Sequence, residues 1–146
     1  MSSEAGYTQL TSPESSSFLI KESNLVEGTL EKLSHNIFLK KWETRRFELD
    51  VPKKTLKYFL GDEMKCEYSE LSSVESVDAV SRDRPHRFVV RGNSAKSTGE
   101  QAVELHINAD SELVKQKWME ALKLSISGDT EIDIVEKTRS LENITI

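Results

Sequence analysis

Seven short segments alternate apolar and polar residues with a period of two, and only after them does the period lengthen to that of a helix. The segments are 25–33, Trp42–Asp50, Thr55–Leu60, Met64–Tyr68, Ser73–Val80, His86–Arg91 and Ala102–Asn108. Turn residues separate them: Val51-Pro52-Lys53-Lys54 ends one strand because proline fixes φ, and Gly61-Asp62-Glu63 ends the next. Strands this short and this regularly spaced predict a sandwich or a small barrel. Asp110 or Ser111 is placed to cap a helix running to about Ile126, with Glu112 favouring its dipole and Ser127-Gly128 stopping it. Val114, Trp118, Ala121 and Leu122 form its apolar stripe, while Lys115, Lys117, Glu120 and Lys123 are expected to face water. A barrel has open ends, and a helix carrying a tryptophan is suited to plug one.

Composition limits the alternatives. A chain of 146 residues, 36% hydrophobic and 31% charged, suits one soluble domain with tails. No apolar run approaches the roughly 20 residues of a membrane span, and the N-terminus does not read as a secretory signal. A lone cysteine, Cys66, allows no internal disulfide, so a reducing, cytoplasmic setting is expected. Residues 1–24, with seven serines, are expected to be a disordered tail. Residues 25–127 form the domain, and the acidic stretch 128–146 is expected to be a second disordered tail. Ser12-Pro13 suits a proline-directed kinase, though a tail without a role is the simpler reading.

The net charge of −5 conceals a polarised chain. Residues 28–57 hold eight Lys/Arg against four acids, and 81–92 hold four arginines (82, 84, 87, 91) against Asp83 alone. Such a field steers an anionic partner despite the negative total. Nucleic acid is not expected. The densest cluster is Leu39-Lys-Lys-Trp-Glu-Thr-Arg-Arg-Phe-Glu-Leu-Asp50, where a carboxylate, Glu43, sits among four basic residues. Alternation sorts them: Glu43 and Arg45 share the face of Phe47 and Leu49, which must enter the core, whereas Thr44, Arg46 and Glu48 point outward. In the first strand Lys32 shares the face of Leu30. Lys32 and Arg45 therefore converge inside one rim, with Lys40 and Lys41 on the loop between.

These residues resemble those of a pleckstrin homology (PH) domain. The resemblance rests on Glu27-Gly28-Thr29-Leu30-Glu31-Lys32-Leu33, Trp42-x-x-Arg45-Arg46-Phe47-x-Leu49, Leu56-Lys57-Tyr58-Phe59, Arg87-Phe88-Val89-Val90, Leu105-His106-Ile107-Asn108-Ala109-Asp110 and a helix with Trp118. It implies a mainly β fold: a seven-stranded barrel of two antiparallel sheets capped by one C-terminal α-helix. It also implies binding of phosphoinositide headgroups at the open mouth, through Lys32, then a Lys/Arg, any residue, and Arg45. Tyr58 and Lys65 fall where the family often places headgroup contacts. Glu43 holds the middle basic position. A like-charge contact at ~4 Å costs ~4 kcal/mol at an effective dielectric of 20, enough to cancel one or two phosphate contacts of ~1.5–3 kcal/mol each. Alternatively Glu43 pairs with Arg45, Lys32 or Lys41 in a rim salt bridge.

The expected function is a non-enzymatic, peripheral membrane-targeting module with weak or low-selectivity phosphoinositide binding. The ligands would be Lys32, Lys40, Lys41, Arg45, Tyr58 and Lys65, with Glu43 weakening the site. The rival is a protein-docking adaptor of the same fold. Phe38 and Ile37 of the first loop suit either the bilayer or the barrel rim. Catalysis, cofactors and metals have no support: His35, His86 and His106 are scattered, and Gly92-Asn-Ser-Ala-Lys96-Ser97 lacks the glycine before the lysine that a phosphate loop needs.

Overall fold

The computed structural model describes residues 17–21, 24–34, 40–77, 83–94 and 103–128. The expectations for both tails beyond those limits, for Ser12-Pro13, for His35, Ile37 and Phe38, and for Ala95 to Ser97 lie outside the described residues. Among the described residues seven strands run in order: β1 Leu19–Lys21, β2 Leu25–Leu33, β3 Trp42–Asp50, β4 Thr55–Leu60, β5 Glu63–Ser76, β6 Arg87–Ser94 and β7 Val103–Asn108. The helix α1 Glu112–Ser127 follows. Each strand pairs antiparallel with the next, and β2 also pairs with β7 through Glu31 opposite Asn108 and Lys32 opposite Ile107. The two expected sheets are thus walls of one continuous hydrogen-bonded barrel.

The core is the inward face of this alternation. Val26, Leu30, Phe47, Leu49, Leu56, Tyr68, Phe88, Val90, Leu105 and Ile107 are buried, and α1 adds Val114, Trp118, Ala121 and Leu122. Ser111 caps the helix, its hydroxyl accepting from Val114 N–H at 3.2 Å. Gly128 ends it with φ 74°, a left-handed conformation that suits glycine, and donates to Leu124 O and Ser125 O. The Ser125 hydroxyl, buried, donates to Val51 O at 2.8 Å and pins the last turn of α1 to the β3–β4 turn.

Three details depart from the sequence expectation. Met64–Tyr68 and Ser73–Val80, expected as separate strands, belong to one long strand ending at Ser76, with a register shift between Ser69 and Ser73. Glu70 takes φ 49° in that irregularity, which lets Leu71 turn inward and be buried. Lys115, expected in water, is buried, because the helix beds into β5 and β6 over a wider face than its main stripe.

The third departure lies at the N-terminus. Leu19–Lys21, which the sequence reading left to the tail, pairs with Leu25–Glu27 as an edge strand. Just before it, Phe18 is buried edge-on against Trp118, ring centroids 5.5 Å apart and planes at 87°. The Trp118 indole N–H donates to Ser17 O at 2.7 Å, and the Ser17 hydroxyl donates to Asp110. A buried indole N–H needs such an acceptor, and here the N-terminal segment supplies it.

Candidate functional site

At the rim where β2 ends and β3 begins, register sets Lys32 directly opposite Glu43 and Leu30 opposite Arg45. The pairing is local, so alternation alone puts all three polar side chains on the inward face. Lys32 Nζ donates to Glu43 Oε1 at 3.3 Å, and Arg45 Nη2 stands 3.6 Å from the same oxygen. Arg45 Nη1 also donates to the Thr44 carbonyl at 2.7 Å. One carboxylate oxygen therefore faces two cations at once.

Lys32 is only 3% exposed. Its ammonium lies 5.0 Å from the centroid of the Tyr58 ring. Tyr58 is followed inward by Phe47 and Tyr68, with centroids 5.5 and 6.5 Å from it, so the floor beneath the amine is aromatic. Burial pushes the Lys32 amine below its ordinary pKa, and the Glu43 partner offsets part of that. Burial likewise pushes the Tyr58 phenol upward, with the adjacent Cys66 contributing. Tyr58 thus serves Lys32 through its ring face.

The other expected ligands are not drawn into this group. Lys40 and Lys41 are exposed, and Lys41 O accepts from Ser34 N–H at 2.7 Å to close the loop. Among the described residues neither has an ion partner. Lys65 alternates with the buried Cys66, so it stands on the outer wall, 3.3 Å from Glu63. Arg46 is also outside, as alternation predicted, bonded to Glu27 at 2.8 Å and Glu48 at 2.6 Å and lying over the Phe59 ring. Of the basic residues in 28–57, Lys32, Arg45 and Arg46 are thus paired with carboxylates within the fold.

The sequence reading missed two features of this rim. Leu60 and Met64 flank the β4–β5 turn and are about half exposed, at 50% and 47%. Extending the β3–β4 register places Leu60 beside Arg45. The second is the pair Arg84 and Arg87, whose guanidinium carbons lie 5.4 and 5.3 Å from the Trp42 ring centroid, on the outer wall. An excess of arginine over 81–92 was the signal available for it. No group of three or more His, Cys, Asp and Glu side chains gathers as a metal site among the described residues. Nor is any described helix long and apolar enough to cross a membrane.

A family model for the PH domain matches residues 19–127. The chain belongs to the PH domain family. Solved PH domains share its fold at low identity. The crystal structure of the carboxyl-terminal PH domain of pleckstrin superposes with a TM-score of 0.52 at 19% identity, covering 68% of this chain and 93% of that one. The solution structure of the C-terminal PH domain of human pleckstrin gives 0.56 at 19% identity, covering 87% and 93%. Pleckstrin's C-terminal PH domain in complex with D-myo-Ins(1,2,3,5,6)P5 gives 0.54 at 19% identity, covering 68% and 92%. No curated protein sequence matches the chain. The family match begins at residue 19, in β1, which agrees with the packing of that strand on the PH barrel. PH domains are modules for lipid or protein binding and are typically non-catalytic.

Proposed function

We propose that this PH domain is a non-enzymatic module that attaches to the cytoplasmic face of membranes through weak, low-selectivity phosphoinositide contact. The observation that carries the reading is the shared Glu43 oxygen, 3.3 Å from Lys32 Nζ and 3.6 Å from Arg45 Nη2. Two cations converge inside the rim, as a phosphate would require, yet a carboxylate already stands between them. An incoming phosphate must displace Glu43 or accept its repulsion. Charge-assisted bonds of ~1.5–3 kcal/mol are then largely offset by a contact of comparable size. Weak affinity follows from that near-cancellation.

Lys32 and Arg45 are the main ligands in this proposal. Lys40 and Lys41 add electrostatic attraction, about 1 kcal/mol per basic side chain close to an anionic surface. Tyr58 orients Lys32, and Lys65 contributes only long-range charge. Support by likeness comes from the pleckstrin PH domain solved with an inositol pentakisphosphate. The same shared oxygen also favours a second reading, a protein-docking adaptor in which the rim salt bridge is purely structural.

Sedimentation with phosphatidylcholine vesicles, with and without phosphatidylinositol 4,5-bisphosphate, tests the choice. The lipid reading expects phosphoinositide-dependent pelleting that Lys32→Ala with Arg45→Ala abolishes. Pelleting that survives the double substitution would overturn the site assignment. Absence of pelleting in the wild type would overturn the lipid reading in favour of docking.

A further inference from the structure

Two opposite charges stand side by side at the barrel mouth, within reach of solvent. Glu43 and Arg45 lie two residues apart on one face of β3, and their side chains are 23% and 18% exposed. Behind them Lys32 is buried and donates to Glu43 Oε1 at 3.3 Å. That bond fixes the carboxylate by one oxygen, and Oε2 has no partner among the described residues. Arg45 Nη2 stands 3.6 Å from Oε1, too far for a hydrogen bond, while Nη1 turns to Thr44 O. The mouth thus offers an open carboxylate oxygen beside open guanidinium N–H groups.

A polyphosphate matches this pair poorly, because each phosphate brings negative charge up to Glu43. An α-amino acid matches it well. Its ammonium and carboxylate hang on one carbon, so an acid and an arginine side by side answer both. The guanidinium fork fits a planar carboxylate, and the ammonium supplies donors to Glu43 Oε2. Lys40 and Lys41, exposed just before β3, are placed to meet a further negative group. Beside the pair the mouth is apolar. Leu60 follows Tyr58 on the inward face of β4, next to Arg45 in the extended register, and is half exposed, as is Met64 across the turn. Bare apolar side chains next to a charge-pairing site suit a headgroup that is joined to hydrocarbon. Asp62 and Glu63 are exposed at the same tip, which keeps the turn itself in the headgroup layer.

We propose that Glu43 and Arg45 recognise the headgroup of phosphatidylserine, the serine ammonium on Glu43, the serine carboxylate on Arg45 and the phosphodiester near Lys40 and Lys41. Lys32 is a positioning residue that holds Glu43 in place. The headgroup carries two negative charges and one positive, the complement of an arginine, a lysine and a glutamate. This inference rests on the membrane reading of the same rim, and it gives Glu43 a second part: an obstacle to phosphoinositide, it is a ligand for phosphatidylserine.

Sedimentation of the full chain with phosphatidylcholine vesicles holding equal mole fractions of phosphatidylserine or phosphatidylglycerol tests it. Both added lipids carry one net negative charge, but phosphatidylglycerol has neither ammonium nor carboxylate. Phosphatidylserine is expected to bind roughly tenfold tighter, the equivalent of ~1.4 kcal/mol. Glu43→Gln should abolish that preference while raising pelleting on phosphatidylinositol 4,5-bisphosphate. Attraction by bulk charge alone would instead raise pelleting on all three lipids. Leu60→Ser with Met64→Ser should weaken pelleting on phosphatidylserine and leave the Trp118 indole signal, which reports the fold, unmoved. Equal binding of phosphatidylserine and phosphatidylglycerol overturns the inference, as does a preference that survives Glu43→Gln. Pelleting unchanged by the Leu60 and Met64 substitutions overturns the membrane as the source of the headgroup. The two readings fail separately. Phosphoinositide pelleting that requires Lys32 and Arg45, with no preference for phosphatidylserine, removes this inference alone. A phosphatidylserine preference without phosphoinositide pelleting sustains it and removes the phosphoinositide contact.

Discussion

The carbonyl oxygen of Ser17 lies 2.1 Å from where a Cβ would stand on Gly28, and the carbonyl carbon 2.4 Å. Gly28 is thus the point at which the N-terminal segment crosses β2 backbone against backbone. Any side chain there must push the segment off. Gly28→Ala is expected to cost about 1–3 kcal/mol, the usual penalty of overpacking, and to free the Trp118 indole N–H from Ser17. Urea unfolding and the indole proton signal measure the two effects. Unchanged stability with an unmoved signal would contradict the crossing.

Phe18 is the side chain that this crossing delivers to the core. Removing it by Phe18→Ala is expected to destabilise by about 3–5 kcal/mol, as other buried aromatic deletions do. The denaturation midpoint reads this directly. A loss below about 0.5 kcal/mol, the range of ordinary surface substitutions, would show that residues before Leu25 are dispensable.

Why the sequence disclosed some of these features and hid others is physical. β3 was legible because Phe47 and Leu49 alternate with Arg46 and Glu48, and the same alternation located Glu43 and Arg45 on the inner face. β1 was not, because three residues after a serine run carry no periodicity and their pairing depends on Leu25–Glu27 and on a glycine without a Cβ. The Ser69–Ser73 irregularity looked like a strand break because a bulge interrupts alternation without ending the pairing. At the rim, the sequence placed a carboxylate near Lys32 and Arg45. Only the register, Lys32 opposite Glu43, showed one oxygen shared between them.

Glu27 ties β1 to β3, with Lys21 at 2.8 Å and Arg46 at 2.8 Å. The Lys21 hydrogen bond, aided by Arg46 and opposed by partial burial, holds its carboxyl below the ordinary glutamate pKa of 4.5. A depressed carboxylate contributes stability that is present above its unfolded pKa and lost as pH falls through its folded one. The stability difference between wild type and Glu27→Gln should therefore be constant above about pH 5 and shrink below 4.5. Thermal unfolding across that range checks it, and a difference that grows on acidification would contradict the ion pairs.

Lys32 is a buried cation paired with Glu43. Replacing both partners by apolar side chains of similar size removes the desolvation cost of the two charges, and such replacements are often neutral or stabilising by about 1–4 kcal/mol. Lys32→Met with Glu43→Leu is thus expected to unfold at equal or higher urea concentration while losing phosphoinositide-dependent pelleting. A variant that is strongly destabilised would mean that the Lys32–Glu43 pair holds the barrel together and favour the docking reading.

The most direct test of the account is the affinity of Glu43→Gln for phosphoinositide vesicles. Glutamine keeps the shape at Glu43 and removes the charge that Lys32 and Arg45 share. Relieving even ~1.4 kcal/mol of competition raises affinity about tenfold, so tighter, phosphoinositide-dependent pelleting by roughly that factor is the expected result. Affinity that is unchanged or weaker would show that Glu43 does not hold the site in check.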